Sequence, residues 1–280
     1  MAIQCENKKN YRLKRKIIML VFLTVTIFLL FFILDTFTSY SPRKMIENGV
    51  KKVLVNKENS ESGTHLNSKD PYEKIVYLTF DDGPSSATDD ILDVLQKNNA
   101  AATFFMLSPH MKERPNTVER MIKEVHSVGL HGVTHDVKHF YHSKQTVLDE
   151  MNEAQEVLES ITGITSVLIR TPYGSVPYLI EPFRKALNTE GYKLWDWNVD
   201  SRDWELADGK YVKSVIDQIK SLKESGATPV VLLHDQPKTA KYLPQLMTYL
   251  ANQGYQIKKL DDSVEPVKFE CVDRCHPIDD

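Results

Sequence analysis

Between Tyr72 and Leu260 the chain alternates short apolar or β-branched runs with longer stretches of helical period, and this pattern limits its possible folds most. The apolar runs cover residues 75–80, 102–107, 167–170, 192–198, 230–234 and 255–260. The helical stretches lie near residues 88–98, 116–128, 146–160, 178–190, 211–224 and 239–252. Such alternation predicts βαβ units and a parallel sheet, either open or closed into a barrel.

An uncharged run of 18 residues covers positions 17–34. As a helix rising about 1.5 Å per residue it would reach roughly 27 Å, close to the hydrocarbon thickness of about 30 Å. Cations cluster directly before it, which predicts that residues 1–16 stay in the cytoplasm. A cleaved signal peptide is the alternative, but its apolar region is usually only about 7–15 residues long and ends in small residues. We therefore expect an uncleaved single-pass anchor over residues 17–36, with the chain that follows it outside the cell.

The segments after the anchor differ in composition. Residues 37–72 are polar and are typical of a stalk, residues 73–262 contain the alternating pattern and are predicted to form the folded domain, and residues 263–280 form a C-terminal tail. The formal net charge of −3 argues against a general nucleic-acid binder. Cys271 and Cys275 could form a small disulfide loop or remain free thiols, and the sequence leaves both open.

Two adjacent carboxylates, Asp81 and Asp82, end the first apolar run and are followed by Gly83-Pro84. In parallel α/β folds the chemistry collects beyond the carboxyl ends of the strands. If the chain turns here, both carboxylates can face one cavity, where one can bind a metal and the other can take a proton from water. A polar turn that caps the next helix is the alternative.

Five histidines fall within residues 126–142. His131 and His135 have the i, i+4 spacing of zinc ligands on one face of a helix or in a tight turn. His135 and His139 have the same spacing and form a competing pair, and surface histidines without a ligand role are the further alternative.

Three later segments carry reactive side chains. In the segment 170–174, Arg170 could pair with a carboxylate and keep it ionised, and the N–H after Pro172 could point at an oxyanion. The tryptophans and carboxylates of residues 195–204 suit a carbohydrate groove and equally a packed core edge. His234-Asp235 ends a buried run, where an acid could orient and tune the imidazole or the histidine could cap the strand.

Together these segments resemble, in order, the five motifs of polysaccharide deacetylases, the NodB-homology domain of carbohydrate esterase family 4. The motif segments are residues 79–84, 131–135, 170–174, 200–204 and 232–235, within a resemblance that spans about residues 74–260. The resemblance implies a deformed (β/α) barrel. It also implies a divalent metal, Zn²⁺ or another such as Co²⁺, held by Asp82, His131 and His135. Gly132 stands where the family usually has Ser or Thr.

The resemblance assigns further roles. It implies that Asp81 is the general base with Arg170 as its partner, and that His234 protonates the departing amine with Asp203 as its partner. The remaining family positions, which would meet the oxyanion and the acetyl methyl group, are the backbone N–H of Tyr173 and the side chains of Trp204 and Leu232.

The expected activity is therefore metal-dependent N-deacetylation of an extracellular polysaccharide with release of acetate. A membrane-anchored enzyme on a bacterial cell surface meets the cell wall first, so the N-acetylglucosamine residues of peptidoglycan glycan strands are the expected substrate. N-acetylmuramic acid, chitin oligomers and O-acetylated xylan are alternatives, as is an inactive wall-binding member. No P-loop, G-x-G-x-x-G or G-x-S-x-G motif occurs, so neither a nucleotide partner nor serine hydrolysis is implied.

Overall fold

The computed structural model of this chain describes residues 74–278. The predicted cytoplasmic segment 1–16, anchor 17–36 and stalk 37–72 lie outside the described residues. Within residues 74–278, no helix combines the length and apolar character needed to cross a membrane.

Within residues 74–278, eight parallel strands form a single sheet. The strands are β1 Ile75–Gly83, β2 Thr103–Met106, β3 Ser127–Leu130, β4 Leu168–Ile169, β5 Lys193–Leu194, β6 Val199–Asp200, β7 Val230–His234 and β8 Gln256–Lys258. Their order is β5-β4-β3-β2-β1-β7-β6, and β8 adds to the start of β1. Among the described residues β5 and β6 do not pair, so the barrel is incomplete at that seam. The prediction of a parallel α/β sheet is confirmed.

Eight helices connect these strands. Six of them match the predicted helical stretches approximately, and the start of the one expected near residue 178 is set by local chemistry. Ile180 is extended and Pro182 occupies the first turn, so that helix begins only at Glu181. The helices are α1 Thr88–Lys97, α2 Ser108–Glu113, α3 Pro115–Lys123, α4 Val137–Phe140, α5 Lys144–Thr162, α6 Glu181–Thr189, α7 Lys210–Ser225 and α8 Pro237–Asn252.

The predicted helix over residues 116–128 is wrong at its C-terminal end. Helix α3 ends at Lys123, and Val125 adopts a left-handed backbone with φ 68°. The His126 N–H reaches back to the carbonyl of Met121, which completes the kind of helix end that usually has glycine at the left-handed position. The chain then enters β3, which the helical pattern had concealed.

The expected strand over residues 192–198 is likewise two short strands, β5 and β6. The chain between them pairs with the C-terminal tail, since the Asp196 N–H donates to the carbonyl of Val267.

Strand β1 lies at the centre of the sheet and is buried on both faces. Val76, Leu78 and Phe80 on one face are fully buried, and Tyr77 and Thr79 on the other face are also buried, as a strand covered by helices on one side and the barrel interior on the other requires. Because β1 pairs in register with β2 and β7, the carboxyl ends of these strands meet at one edge. All the predicted reactive segments lie at or just beyond this edge.

Candidate active site

Asp81 and Asp82 both line one cavity at the end of β1, although neighbouring strand residues normally point to opposite faces. The alternation is broken because Asp82 has a left-handed backbone (φ 71°) and the register with β2 shifts between Asp81 and Gly83. His110 Nδ1 lies 2.6 Å from the carbonyl oxygen of Asp82 and anchors the turned backbone from α2. The turn that the sequence required for a shared cavity is present.

The histidine pair lies in an irregular loop after β3. The His131 N–H continues the strand pairing by donating to the carbonyl of Met106, and the Ser108 N–H donates to that of Gly132. Gly132 (φ 90°) and His135 (φ 50°) then turn the chain through left-handed conformations. Of the two predicted settings, the tight turn is correct and the helix is not.

Asp82, His131 and His135 form a compact cluster of possible metal ligands, with one ligand atom of each within 4.8 Å of the others. His131 Nε2 and His135 Nε2 lie 3.4 and 3.3 Å from Asp82 Oδ1. Neighbouring ligands of a tetrahedral zinc site with bonds of about 2.05 Å are also separated by about 3.3 Å. The three side chains therefore fit a divalent metal.

Two further observations support this fit. Asp82 Oδ1 is buried, yet within residues 74–278 no group donates a well-aligned hydrogen bond to it. His131 Nδ1 lies 2.7 Å from the carbonyl oxygen of Arg170, which leaves Nε2 as the ligand atom. His139 is outside the cluster, because its Nε2 is 3.6 Å from Glu150 and its side chain is mostly exposed.

The electrostatics of the cluster favour a positive charge. Burial lowers the pKa of His131, but the attraction of Asp81 and Asp82 outweighs it and the net pKa is raised. Burial and the neighbouring His131 lower the pKa of His135. For Asp82, burial raises the pKa, but the interactions with His131 and His135 hold it well below its usual range. A cation at this position, whether a proton or a metal ion, is therefore stabilised.

Arg170 is fully buried and meets Asp81 from behind. Its Nη1 donates to Asp81 Oδ1 at 2.9 Å and to Thr79 Oγ1 at 2.7 Å, and its guanidinium lies 4.4 Å from the Phe105 ring centre. Nε and Nη2 donate to the carbonyls of Trp195 and Asp196. The cation is thus satisfied by protein groups, as a buried charge must be. The expected pairing of Arg170 with a carboxylate is present.

His234 lies at the end of β7 on the other side of the cavity. Its Nδ1 is 2.7 Å from Asp203 Oδ1, while Asp203 Oδ2 accepts from the backbone N–H of His234 and from the hydroxyl of Thr239. Burial lowers the pKa of His234, but Asp203 together with Asp81 and Asp82 raises it to about 9. His234 is therefore protonated at neutral pH.

The cavity between these groups has a volume of about 420 Å³. Trp204 and Tyr173, both more than half exposed, lie at its walls with buried Leu232. Tyr173 has φ 62°, and its ring contacts that of His135 in a tilted arrangement, with centroids 4.6 Å apart and an interplanar angle of 50°. Two surface clefts are larger, at about 770 and 630 Å³, but neither contains the ligand cluster. Chemistry rather than size identifies the site.

Two supporting roles, those of Asp235 and Glu150, were not predicted. The carboxylate of Asp235 accepts hydrogen bonds from Ser85 and Thr88 and so ties the segment after β7 to that after β1. Buried Glu150 on α5 accepts hydrogen bonds from the histidine loop. No local pattern marks Glu150, since α5 contains several glutamates and only the fold selects one of them.

The C-terminal tail also reaches the site. Cys271 and Cys275 form a disulfide, one of the two possibilities left open by the sequence. Phe269 contacts Trp197, a wall residue of the cavity, with ring centroids 5.0 Å apart, and its N–H donates to the buried carboxylate of Asp196. The tail therefore packs behind one wall of the cavity.

Comparisons with known proteins agree with this geometry. A family model described as polysaccharide deacetylase matches residues 68–195. A putative polysaccharide deacetylase of Bacillus subtilis (strain 168), YheN, is 44% identical over 206 residues, which cover 72% of this chain and 73% of that protein. A peptidoglycan-N-acetylglucosamine deacetylase of Bacillus cereus is 36% identical over 220 residues, which cover 75% of this chain and 78% of that protein.

The fold is similar to that of a solved structure as well. The crystal structure of the polysaccharide deacetylase Bc1974 from Bacillus cereus matches with a TM-score of 0.64 and 34% sequence identity. The match covers 70% of this chain and 97% of that one.

Proposed function

The chain belongs to the polysaccharide deacetylase family of hydrolases, and on that basis we propose that it removes N-acetyl groups from N-acetylglucosamine residues of peptidoglycan with the help of a divalent metal. The observation that carries the proposal is the cluster of Asp82, His131 and His135 beside the carboxylate of Asp81. Three protein ligands with open positions are typical of catalytic zinc sites.

A divalent metal bound by these three residues would polarise the acetamide carbonyl and acidify the attacking water. Asp81 takes the proton from this water as the new C–O bond forms, and Arg170 keeps its carboxylate in place. The backbone N–H of Tyr173 donates to the oxyanion.

Departure of the amine requires a proton on the nitrogen, and His234 supplies it. The imidazolium is available at neutral pH because Asp203 stabilises it from Nδ1. As the C–N bond breaks, the proton moves from His234 to the nitrogen. The products are acetate and a free amino sugar. The proton taken up by Asp81 and the hydroxyl proton of the nascent acetic acid pass to solvent, and His234 regains its proton from solvent.

The cavity walls support a sugar substrate. The exposed side chains of Trp204 and Tyr173 offer aromatic faces to a pyranose ring, and buried Leu232 offers an apolar surface to the acetyl methyl group. The cavity lining contains Asp81, Asp82 and Asp200 but no lysine or arginine. A lactyl carboxylate would therefore meet neither a lysine nor an arginine in the lining, and the imidazolium of His234 is committed to the leaving amine, which favours N-acetylglucosamine over N-acetylmuramic acid.

The proposal includes a location. With residues 17–36 as an uncleaved anchor, the enzyme faces the cell wall from the outer surface of the membrane. N-terminal sequencing of the mature protein tests this part: retention of residues 1–36 supports it, whereas a new N-terminus near residue 38 shows a cleaved signal peptide.

Product analysis on purified peptidoglycan tests the activity. The full-length protein should release acetate, lose this activity with a chelator and regain it with Zn²⁺ or Co²⁺. Acid hydrolysis of the product should show new free amines on glucosamine. Free amines on muramic acid would reverse the sugar assignment, and no acetate release from peptidoglycan, chitin oligomers or acetylated xylan would leave the inactive wall-binding alternative.

A further inference from the structure

The loop that carries His131 and His135 contains backbone donors that neither a helix nor the sheet satisfies. Between the two histidines, the N–H groups of Val133 and Thr134 have no strand or helix partner. Backbone N–H groups are almost always hydrogen-bonded in folded proteins, so these two need an acceptor. An acceptor in a fixed position would hold the loop in one conformation and keep the two imidazoles at a defined separation.

Glu150 supplies this acceptor from the facing helix α5. Its Oε2 accepts from the N–H of Val133 at 2.9 Å and from that of Thr134 at 3.0 Å, and its Oε1 accepts from the Thr134 hydroxyl at 2.6 Å. Both carboxylate oxygens are therefore occupied by three consecutive donors of one loop.

The burial of Glu150 makes the arrangement unusual for a helix residue. The side chain is only 5% exposed and lies on the face of α5 that also buries Val147, Met151 and Ala154. A carboxylate on such a face costs stability unless its bonds are used, and an apolar residue would be the more stable choice for packing alone. The three hydrogen bonds that the loop donates to the carboxylate explain why a glutamate occupies this position.

Gly132 fits the same arrangement. It has φ 90°, and a Cβ there would lie 3.0 Å from Glu150 Oε2 and 3.1 Å from the Phe140 ring. A side chain at position 132 would therefore press on the carboxylate and on the ring, which would have to shift by a few tenths of an ångström. The absence of a side chain at Gly132 and the presence of a carboxylate at Glu150 are matched features.

We propose that Glu150 is a positioning residue that presets the separation of the two histidine ligands before the metal binds. The inference rests on the proposed metal-dependent function. Removing Glu150 should leave the sheet and the cavity intact but let the loop sample other conformations. The effect should therefore appear in metal affinity rather than in the proton-transfer steps.

The test compares full-length Glu150→Ala and Glu150→Gln proteins with Glu156→Ala, a matched control on the exposed side of the same helix. Zn²⁺ affinity is measured by competition with a chromogenic chelator, and hydrogen exchange of the Val133 and Thr134 amides is measured without metal. Loss of an outer partner typically weakens metal binding about 10–100-fold. We expect a loss in this range for Glu150→Ala, with faster amide exchange.

Glu150→Gln should stay within about threefold of the unmodified protein, because its amide oxygen can accept both N–H bonds and its NH₂ group can donate to Thr134 Oγ1. Glu156→Ala should change nothing. A folded Glu150→Ala protein with unchanged Zn²⁺ affinity and amide exchange would overturn the proposal.

Two further results keep the test decisive. If Glu150→Ala does not fold, Thr134→Val keeps both N–H bonds to Glu150 and removes the hydroxyl with its bonds to Glu150 and from the Asp136 N–H, and unchanged affinity and amide exchange in that variant would overturn the proposal. If the unmodified protein binds no Zn²⁺, the metal-dependent function fails. Unprotected Val133 and Thr134 amides in that protein would show separately that Glu150 does not hold the loop.

Discussion

His131 and His234 lie on opposite sides of one cavity, and a hydrogen bond of the same length orients each ring. Each Nδ1 is 2.7 Å from an oxygen atom, but the acceptor for His131 is the neutral carbonyl of Arg170 and the acceptor for His234 is the carboxylate of Asp203. The two hydrogen bonds therefore have the same length but differ in the charge of the acceptor.

This difference separates the chemical roles of the two rings. A carbonyl oxygen accepts a hydrogen bond from Nδ1–H and orients the imidazole without stabilising its protonated form. Nε2 of His131 is therefore free to bind a metal as a neutral ligand. A buried carboxylate stabilises the imidazolium, which raises the pKa of His234 to about 9 and makes it an acid. The pKa of His131 is raised by Asp81 and Asp82 instead, at the position where a metal would replace the proton.

Replacement of the proposed ligand should have the largest effect. His131→Ala should lose Zn²⁺ binding, and acetate release should fall to the detection limit, because the cluster keeps only two protein ligands. His139→Ala is the control and should retain most of both, since His139 lies outside the cluster. Calorimetric titration with Zn²⁺ and an acetate assay measure this. Loss of binding in His139→Ala but not in His131→Ala would establish the competing pair.

The two adjacent carboxylates should separate in the same way as the two histidines. Asp81→Asn should keep the metal and lower kcat by about 10²–10⁴-fold, because only the base is removed. Asp82→Asn should weaken metal binding, so part of its activity should return at high Zn²⁺ concentration. The metal content of each variant after dialysis and its kcat at increasing Zn²⁺ concentration test which carboxylate is the base and which is the ligand. A metal-free Asp81→Asn beside a loaded but inactive Asp82→Asn would reverse the assignment.

Removal of the acid should leave the metal side intact. His234→Asn should bind Zn²⁺ as the unmodified protein does and lower kcat by roughly 10²–10⁴-fold. The alkaline limb of its pH–rate profile should disappear, because that limb reports loss of the proton from His234. A His234→Asn protein that keeps this limb would show that another group is the acid.

The smallest effect is expected when the acceptor carboxylate becomes a neutral amide. One oxygen can still accept from His234 Nδ1, while an NH₂ group replaces the oxygen that accepts from the His234 N–H and the Thr239 hydroxyl. Asp203→Asn removes the opposite charge and should lower the pKa of His234 by about 1–3 units. Since the acid must be protonated, activity should then be lost at lower pH on the alkaline side. Thr239→Val keeps the carboxylate of Asp203 and removes one hydrogen bond to it. The alkaline limb of the pH–rate profile should therefore move less in this variant than in Asp203→Asn. An unmoved limb in Asp203→Asn would contradict the role assigned to the acceptor.

The sequence predicted the parts of this site that follow strand ends. Asp81, Asp82 and His234 lie at the ends of long buried runs, and the parallel pattern alone places such ends at one edge. The resemblance to a known family supplied the pairing of His131 with His135 over His135 with His139, which spacing could not decide.

The parts that the sequence did not predict depend on contacts between distant segments. Strand β3 was hidden because Val125, which is not a glycine, ends the preceding helix in a left-handed conformation. Glu150 meets the histidine loop only after α5 packs against it, and Phe269 of the tail contacts Trp197 although 72 residues separate them in the chain. Local periodicity contains no information on such long-range contacts.

The central claim, that His131 is a metal ligand and His234 is not, is tested most directly by diffraction from crystals grown with Zn²⁺ and measured at the zinc absorption edge. We expect one anomalous peak about 2.0–2.2 Å from Asp82 Oδ1, His131 Nε2 and His135 Nε2, with His234 still hydrogen-bonded to Asp203. A peak between His135 and His139, or one ligated by His234, would contradict it.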